Sequence, residues 1–590
     1  MMKARAHLAW CARAFFLASL VSASTGAQGG IVADRAAPPD TVFIHGAIYT
    51  QEAEQPWAQA LAVSKGRIVA VGSDADAKSW MGPRTRRIDL HGRMLMPGLI
   101  DAHVHAGDGA MAELFDCLFP SDATPGQIRP ILAKCVKAAA PGAWIIGGHW
   151  DSDFFNRFKI GSPRQWLDEI AGEHPVMLWD DAFHNIWVNT AALAKAGVTS
   201  ATADPPGGRF EREPGSRDLH GVPNGVVIET AAEGMRSAVP VRSAAQYRRG
   251  VLHAQDIAHR FGMIGFKDAD ADPAQVAAYA SADADGALSL YIAACIKTQT
   301  GADTPDKLLD FDAIDAVHRT HQTQLVDTRF VKIFLDGVPT PARTAAMLAP
   351  YLPDAAGNRT PGMLHVNPDT LARDLVELDK RGYTVKMHAA GDKAIRVGLD
   401  AIAAARAANP GSTLRHELAH AGYIDDADLP RFASLNAVAE LSPVIWYPSP
   451  IIDAVINTVG ERGRHYWPMR ALVDLRTPMA AGSDWPSVVP SMDPWSGVEA
   501  MVTRADPLYA GAAKLWPEQA ITLAEALRIY TLGGAEALRR DTDTGSIKIG
   551  KSADFIVLDR NLFKVPVEQV SDVRVLETYF QGRRVYVRRR

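Results

Sequence analysis

The feature that most restricts what this chain can fold into is an alternation that fills its long middle. Apolar strand-like runs alternate with Ala-rich helical stretches, as where PDTLARDLVELDKRG is followed at once by YTVKMHAAGD. Sustained over several hundred residues, that rhythm calls for parallel strands joined by crossover helices, an α/β barrel or sheet. The two ends read differently. DTVFIHGAIYT, ALAVSKGRIVAVG and TRRIDLHGRMLMPG near the start are short Val/Ile-rich runs punctuated by glycine, as are GSIKIGKSADFIVLDR and VRVLETYFQGRRVYVRR near the end. That texture fits antiparallel strands and tight turns. The expected architecture is therefore an α/β barrel over 99–540, set between segments 41–98 and 541–590 that pair into one small composite β-sandwich. Residues from about 140 to 235 break the βα rhythm and hold many of the tryptophans. They read as an insertion or lid over the site, with a peripheral packing subdomain as the alternative.

The chain of 590 residues is long enough for a large buried core. Its 62 basic and 67 acidic residues leave a formal charge of −5, with no long basic block, which gives nucleic acid no footprint. The N-terminus is distinctive: Lys3, Arg5 and Arg13 precede an apolar run from Ala14 to Val21, and small residues follow, with Thr25 and Ala27 placed for signal-peptidase cleavage. Residues 1–27 read as a secretory signal followed by a linker over 28–40, an amphipathic first helix being the alternative. No later apolar stretch is long enough to span a bilayer. The mature protein is thus expected to be soluble and exported, periplasmic or extracellular. Export permits a disulfide, and Cys117 and Cys135 are the closest pair, although three free thiols (with Cys295) fit the sequence equally.

Candidate chemistry begins at LMPGLIDAHVH, where Asp101, His103 and His105 share one strand face by parity. A His-x-His pair so placed can give two imidazoles to one ion. Further candidates sit where other apolar runs stop: His388 in YTVKMHAAGD, His420 in TLRHELAHAG and Asp484 in TPMAAGSDWP. Active-site groups of a βα barrel occupy such positions. The 32 residues from His388 to His420 and the 64 from His420 to Asp484 match one and two βα units, with NAVAELSPV as the intervening strand. His416 competes with His420 at the same parity, and His420 is preferred because it is nearer the strand end. Lys332 lies inside the apolar run RFVKIFLDG. A buried ammonium is costly unless paired or neutralised, so this residue is either an edge lysine or a neutral nucleophile, open to carboxylation by carbon dioxide. His184 and, on weaker grounds, His149 are candidates for hydrogen bonds to substrate. Trp150 and Trp485, with Phe154, Trp179, Trp187 and Trp446, hint at an aromatic pocket, though buried tryptophan is equally ordinary core. His253, His259, His318 and His321 lie in helix-like stretches and read as structural or solvated.

The ordered set PGLIDAHVH, VKIFLDG, MHAAGD, LAHAG and GSDWP resembles the metal-dependent amidohydrolase superfamily, closest to amidohydrolase family 3, which includes N-substituted formamide deformylases. The resemblance runs over nearly all of the mature chain. It implies a TIM-like (β/α)8 barrel in which His103 and His105 bind a first divalent ion and Asp484 joins them and handles protons. Lys332, as a carbamate, would bridge to a second ion held by His388 and His420. One departure is Ala419, where relatives often carry glutamate before the histidine. Nitrogen and oxygen ligands without cysteine make zinc the expected ion, with manganese, iron or cobalt also compatible. The implied reaction is attack of a metal-bound hydroxide on the carbonyl of a small non-peptide amide or related C–N substrate. The same site would serve an ester, lactone or carbamate, and a non-catalytic exported metal- or ligand-binding protein is the rival outside enzymes. Self-association into a homo-oligomer is left open.

Overall fold

Six consecutive residues of LIDAHV are buried in strand β1 (Leu99–Val104), the pattern of a parallel strand covered on both faces. In the computed structural model seven more strands follow it: β2 (Met263–Ala271), β3 (Tyr291–Lys297), β4 (Val326–Phe334), β5 (Thr384–Ala389), β6 (Glu417–His420), β7 (Val438–Leu441) and β8 (Met479–Ala481). The structure describes residues 38–589 except 152, 214–220, 298–308, 355–356, 446–449, 488 and 510. The expected signal segment, linker residues 28–37 and Trp446 lie outside the described residues. Neighbouring strands pair in parallel, in chain order from β1 to β8. The ring is drawn together where β8 ends. The Asp484 amide donates to the His103 carbonyl at 2.8 Å, and the Ser483 amide donates to the Asp101 carboxylate at 3.1 Å. This near-closed eight-stranded barrel is the expected α/β architecture, and NAVAELSPV does supply β7.

Helices cover the outside for local reasons. PDTLARDLVELDK, for example, forms Pro368–Lys380, with proline in its first turn and the Asn367 side chain accepting from the Asp369 and Thr370 amides. Among the described residues no helix is long and apolar enough to cross a membrane.

Both chain ends build a second unit. Strand 94–97, just before β1, pairs antiparallel with 555–558 and parallel with 47–49, so N- and C-terminal segments share one six-stranded sheet. A four-stranded sheet from residues 41–89 packs on it. Phe43 meets Phe555 and Tyr579 edge-on at 5.1 and 5.3 Å between the layers. This is the composite sandwich.

A further six-stranded sheet runs from Cys117–Leu118 to Pro223–Glu229. The insertion therefore begins well before residue 140, and its first strand is only two residues long, too short to leave a pattern in sequence. Cys117 and Cys135 form a disulfide with Cα atoms 6.0 Å apart, which ties that edge strand to the helix Pro125–Ala138, and Cys295 is a buried free thiol.

Candidate metal centre

The C-terminal ends of the barrel strands deliver one cluster of side chains. His103, on β1, is fully buried, and His105 caps the helix that follows. Asp484 comes from the turn after β8. Its Oδ1 lies 3.3 Å from His103 Nε2 and 3.4 Å from His105 Nε2. Both Asp484 Oδ1 and His103 Nε2 are buried and make no protein hydrogen bond. Buried polar atoms are nearly always satisfied, so two orphans facing each other fit an ion between them. One ligand atom from each of His103, His105 and Asp484 lies within 4.8 Å of the others, as a shared cation requires.

A second group adjoins the first. The His103 and His420 rings are 4.8 Å apart between centroids, as are those of His420 and His388. His388 Nδ1 is held at 3.0 Å by Asp336, whose carboxylate also accepts the Ala346, Ala390 and Gly391 amides. His420 Nδ1 lies 3.3 Å from Ser442 Oγ. Lys332 is buried and lines the same cavity as His105, His388, His420 and Asp484.

The electrostatics favour ligand forms. Burial pushes His103, His388 and His420 well below the ordinary histidine range, toward the neutral imidazole a metal binds; nearby cations add to this at His103 and His388, while Asp484 pulls His420 the other way. Burial also opposes ionisation of Asp484, yet His420, His105 and Lys332 together hold its carboxyl below the usual range. Burial lowers Lys332 against the pull of Asp270 and Asp484.

The cavity, about 570 Å³, is closed on one side by the insertion, which contributes Trp179, Phe183, His184 and Glu229. His184 Nδ1 bonds Glu229 Oε2 at 2.8 Å, and Thr344, after β4, donates to the other oxygen of Glu229. Burial alone would lower His184, but Glu229 outweighs it and raises the imidazole to about 9. His184 is therefore a cationic donor at neutral pH, 5.4 Å from the His388 ring.

The sequence profile of the amidohydrolase family matches residues 86–586. The chain belongs to the amidohydrolase family. It is 30% identical over 572 residues to the protein LONG AFTER FAR-RED 3 of Arabidopsis thaliana, covering 94% of this chain and 92% of that one. It is 28% identical over 557 residues to the N-substituted formamide deformylase of Arthrobacter pascens, covering 92% and 97%. An uncharacterized metal-dependent hydrolase from Pyrococcus horikoshii OT3 shares the fold, with a TM-score of 0.69, 24% identity and coverage of 89% and 99%. The resemblance carried by the strand-end motifs holds, and this amidohydrolase is an enzyme of the hydrolase class.

Of the residues the amidohydrolase's sequence singles out, His103, His105, Lys332, His388, His420, Asp484 and His184 converge on one place. Trp150 and Trp485 do not. Trp150 is packed in the insertion's core and donates Nε1 to the Leu178 carbonyl at 2.9 Å. Trp485 is buried beside Gly109 beneath the helix after β1. Phe154 and Trp187 are core of the insertion, and Trp179 lines the cavity. The His149 ring packs at a tilt against Phe183, 4.5 Å between centroids, and His149 is not among the cavity-lining residues. His416 is the strand-bottom histidine: its Nε2 bonds Asp379 at 2.9 Å, outside the barrel mouth. Asp101 accepts backbone amides and is not in the ligand group. Ala419 is fully buried, and Glu440 lies one position beyond the Leu418–Ala439 pair on the next strand. Sequence reasoning missed Glu229, Asp336, Lys386 and Glu440. Each is a charged residue in or just after an apolar run, the same signal that picked out Lys332.

Proposed function

We propose that this amidohydrolase is an exported two-metal hydrolase that cleaves a small non-peptide amide or related C–N bond. The observation that carries the reading is the pair of buried, unpartnered atoms, His103 Nε2 and Asp484 Oδ1, facing each other beside His105. These three residues would hold one divalent ion, and His388 and His420 a second, with zinc the expected metal. Lys332, whose ammonium is disfavoured by burial, would react as the free amine with carbon dioxide and bridge the two as a carbamate. Bound metal would supply an activated water and polarise the substrate carbonyl.

The protein's own groups do the rest. Asp484, kept ionised by its neighbours, takes the proton of the attacking water and passes it to the leaving nitrogen as general base and then general acid. His184, held through Nδ1 by Glu229, offers Nε2 as donor to the carbonyl oxygen, where negative charge develops. The insertion excludes water over this chemistry. Likeness to an N-substituted formamide deformylase supports an amide with a substituted nitrogen as substrate. Export rests on the N-terminal signal pattern, and N-terminal sequencing of the secreted or periplasmic protein is expected to begin just after Ala27.

With a panel of N-substituted amides, Asp484→Asn is expected to lower kcat by about 10²–10⁴. His103→Ala is expected to lose both turnover and bound metal. Full hydrolytic activity in both variants would overturn the reading.

A further inference from the structure

Four charged side chains lie inside the barrel, and nothing in the chemistry above uses them. Lys267 on β2, Lys386 on β5, Glu417 on β6 and Glu440 on β7 have no exposed surface. Strand register brings them together, since Lys386 pairs directly with Glu417 across β5 and β6. They form one chain. Lys267 Nζ donates to Glu417 Oε1 and, at 2.7 Å, to the Ala537 carbonyl. Lys386 Nζ lies 2.8 Å from Glu417 Oε2 and donates to Glu440 Oε2 at 3.1 Å. Glu440 Oε2 then meets His103 Nδ1.

Such a chain is not what a barrel needs for packing. Burying an ion pair often stabilises no more than apolar residues of similar volume would. Its geometry does something else. An ammonium only donates, so Glu440 Oε2 is an acceptor toward Lys386. The same oxygen is thereby placed to accept an N–H from His103 Nδ1. His103 is left with its lone pair on Nε2, the buried atom that faces Asp484 Oδ1 at 3.3 Å with no protein hydrogen bond.

We propose that the Lys267–Glu417–Lys386–Glu440 chain is a positioning device for His103, locking it in the Nδ1–H tautomer with Nε2 presented to the metal. The proposal rests on the reading of His103, His105 and Asp484 as a metal site. Glu440 is the positioning residue that touches the ligand. Lys386, Glu417 and Lys267 hold Glu440 as an acceptor from the far wall of the barrel. Carboxylates behind metal-bound histidines set ligand orientation and basicity, and losing one weakens metal binding by about 10–100-fold.

The test uses the full-length protein stripped of metal. Zinc affinity is measured by competition with a chromophoric chelator for the wild type, Glu440→Gln and Lys386→Gln. The chain requires the first zinc to bind about 10–100-fold more weakly in Glu440→Gln and measurably more weakly in Lys386→Gln, which leaves every ligand in place. Equal zinc affinity in folded Glu440→Gln and wild type overturns the proposal while leaving the metal site intact. A wild type that binds no zinc removes the metal reading itself. Should the variants not fold, ¹⁵N NMR of histidine-labelled wild type, with His103→Gln to assign the signal, still decides. The Nδ1–H tautomer at His103 supports the proposal, and the Nε2–H tautomer overturns it.

Discussion

His420 and Asp484 enter the site by the same backbone device. Their φ angles are 70° and 60°, in the left-handed region that non-glycine residues rarely occupy. Such a conformation costs about 1–3 kcal/mol and persists where surrounding bonds over-determine it. Here the Trp467 indole donates to the His420 carbonyl and the His103 carbonyl receives the Asp484 amide. Strand parity alone would send His420 the way of His416, out toward Asp379, and the turn at the strand end brings it back over the mouth. Glu229, with φ of 53°, is a third case. Its pairing with His184 has a pH signature. His184 is raised to about 9, chiefly by Glu229 working against burial, and Glu229 is lowered to about 2, chiefly by His184, also against burial. A raised histidine contributes stability that is complete below its unfolded value near 6.5 and is lost as pH climbs through the folded value. The lowered carboxyl contributes above about 4.3 and loses it as pH falls toward its folded value. Breaking a buried pair costs about 3–5 kcal/mol. In metal-free protein Glu229→Gln should therefore melt furthest below wild type at about pH 5–6, with the gap narrowing toward about pH 9. A gap that does not change with pH would contradict the assignment.

Strand β8 has only three residues, yet it places Asp484 and draws the two ends of the barrel sheet together. Gly482 makes that possible, because a Cβ there would overlap the His103 backbone. Gly482→Ala is expected to push β8 from β1, at about 1–3 kcal/mol of stability, and to cut metal content and activity together. Unchanged melting and full metal loading would show that the close approach is dispensable. The parallel strands and the ligand positions at their ends are legible in the sequence, because apolar runs and unit lengths repeat. The edge strand Cys117–Leu118 is not, having no pattern of its own. Nor does the sequence separate Lys332, beside the ligands, from Lys267 and Lys386, which sit in equally apolar strands and pair with carboxylates. Trp150 and Trp485 share the composition of a pocket wall but occupy core, a difference that only packing decides.

Three units combine to make one site. The composite sandwich from both chain ends launches β1 directly from strand 94–97, so the strand that ends in the His-x-His pair begins where the two folds meet. The barrel supplies the ligand group, and the insertion supplies His184, Glu229 and the aromatic cover. Neither barrel nor insertion alone holds both the proposed metal-facing atoms and the proposed carbonyl-binding donor, so the proposed reaction draws on motifs scattered from residue 103 to residue 484. On the proposed reading, hydrolysis depends on metal held by His103, His105 and Asp484. That dependence is tested most directly by measuring turnover of an N-substituted formamide before chelation, after complete chelation and after zinc is restored, beside Asp484→Asn treated identically. The predicted result is activity that disappears with the metal and returns with zinc in the wild type only, whereas undiminished turnover by the fully metal-free wild type would contradict it.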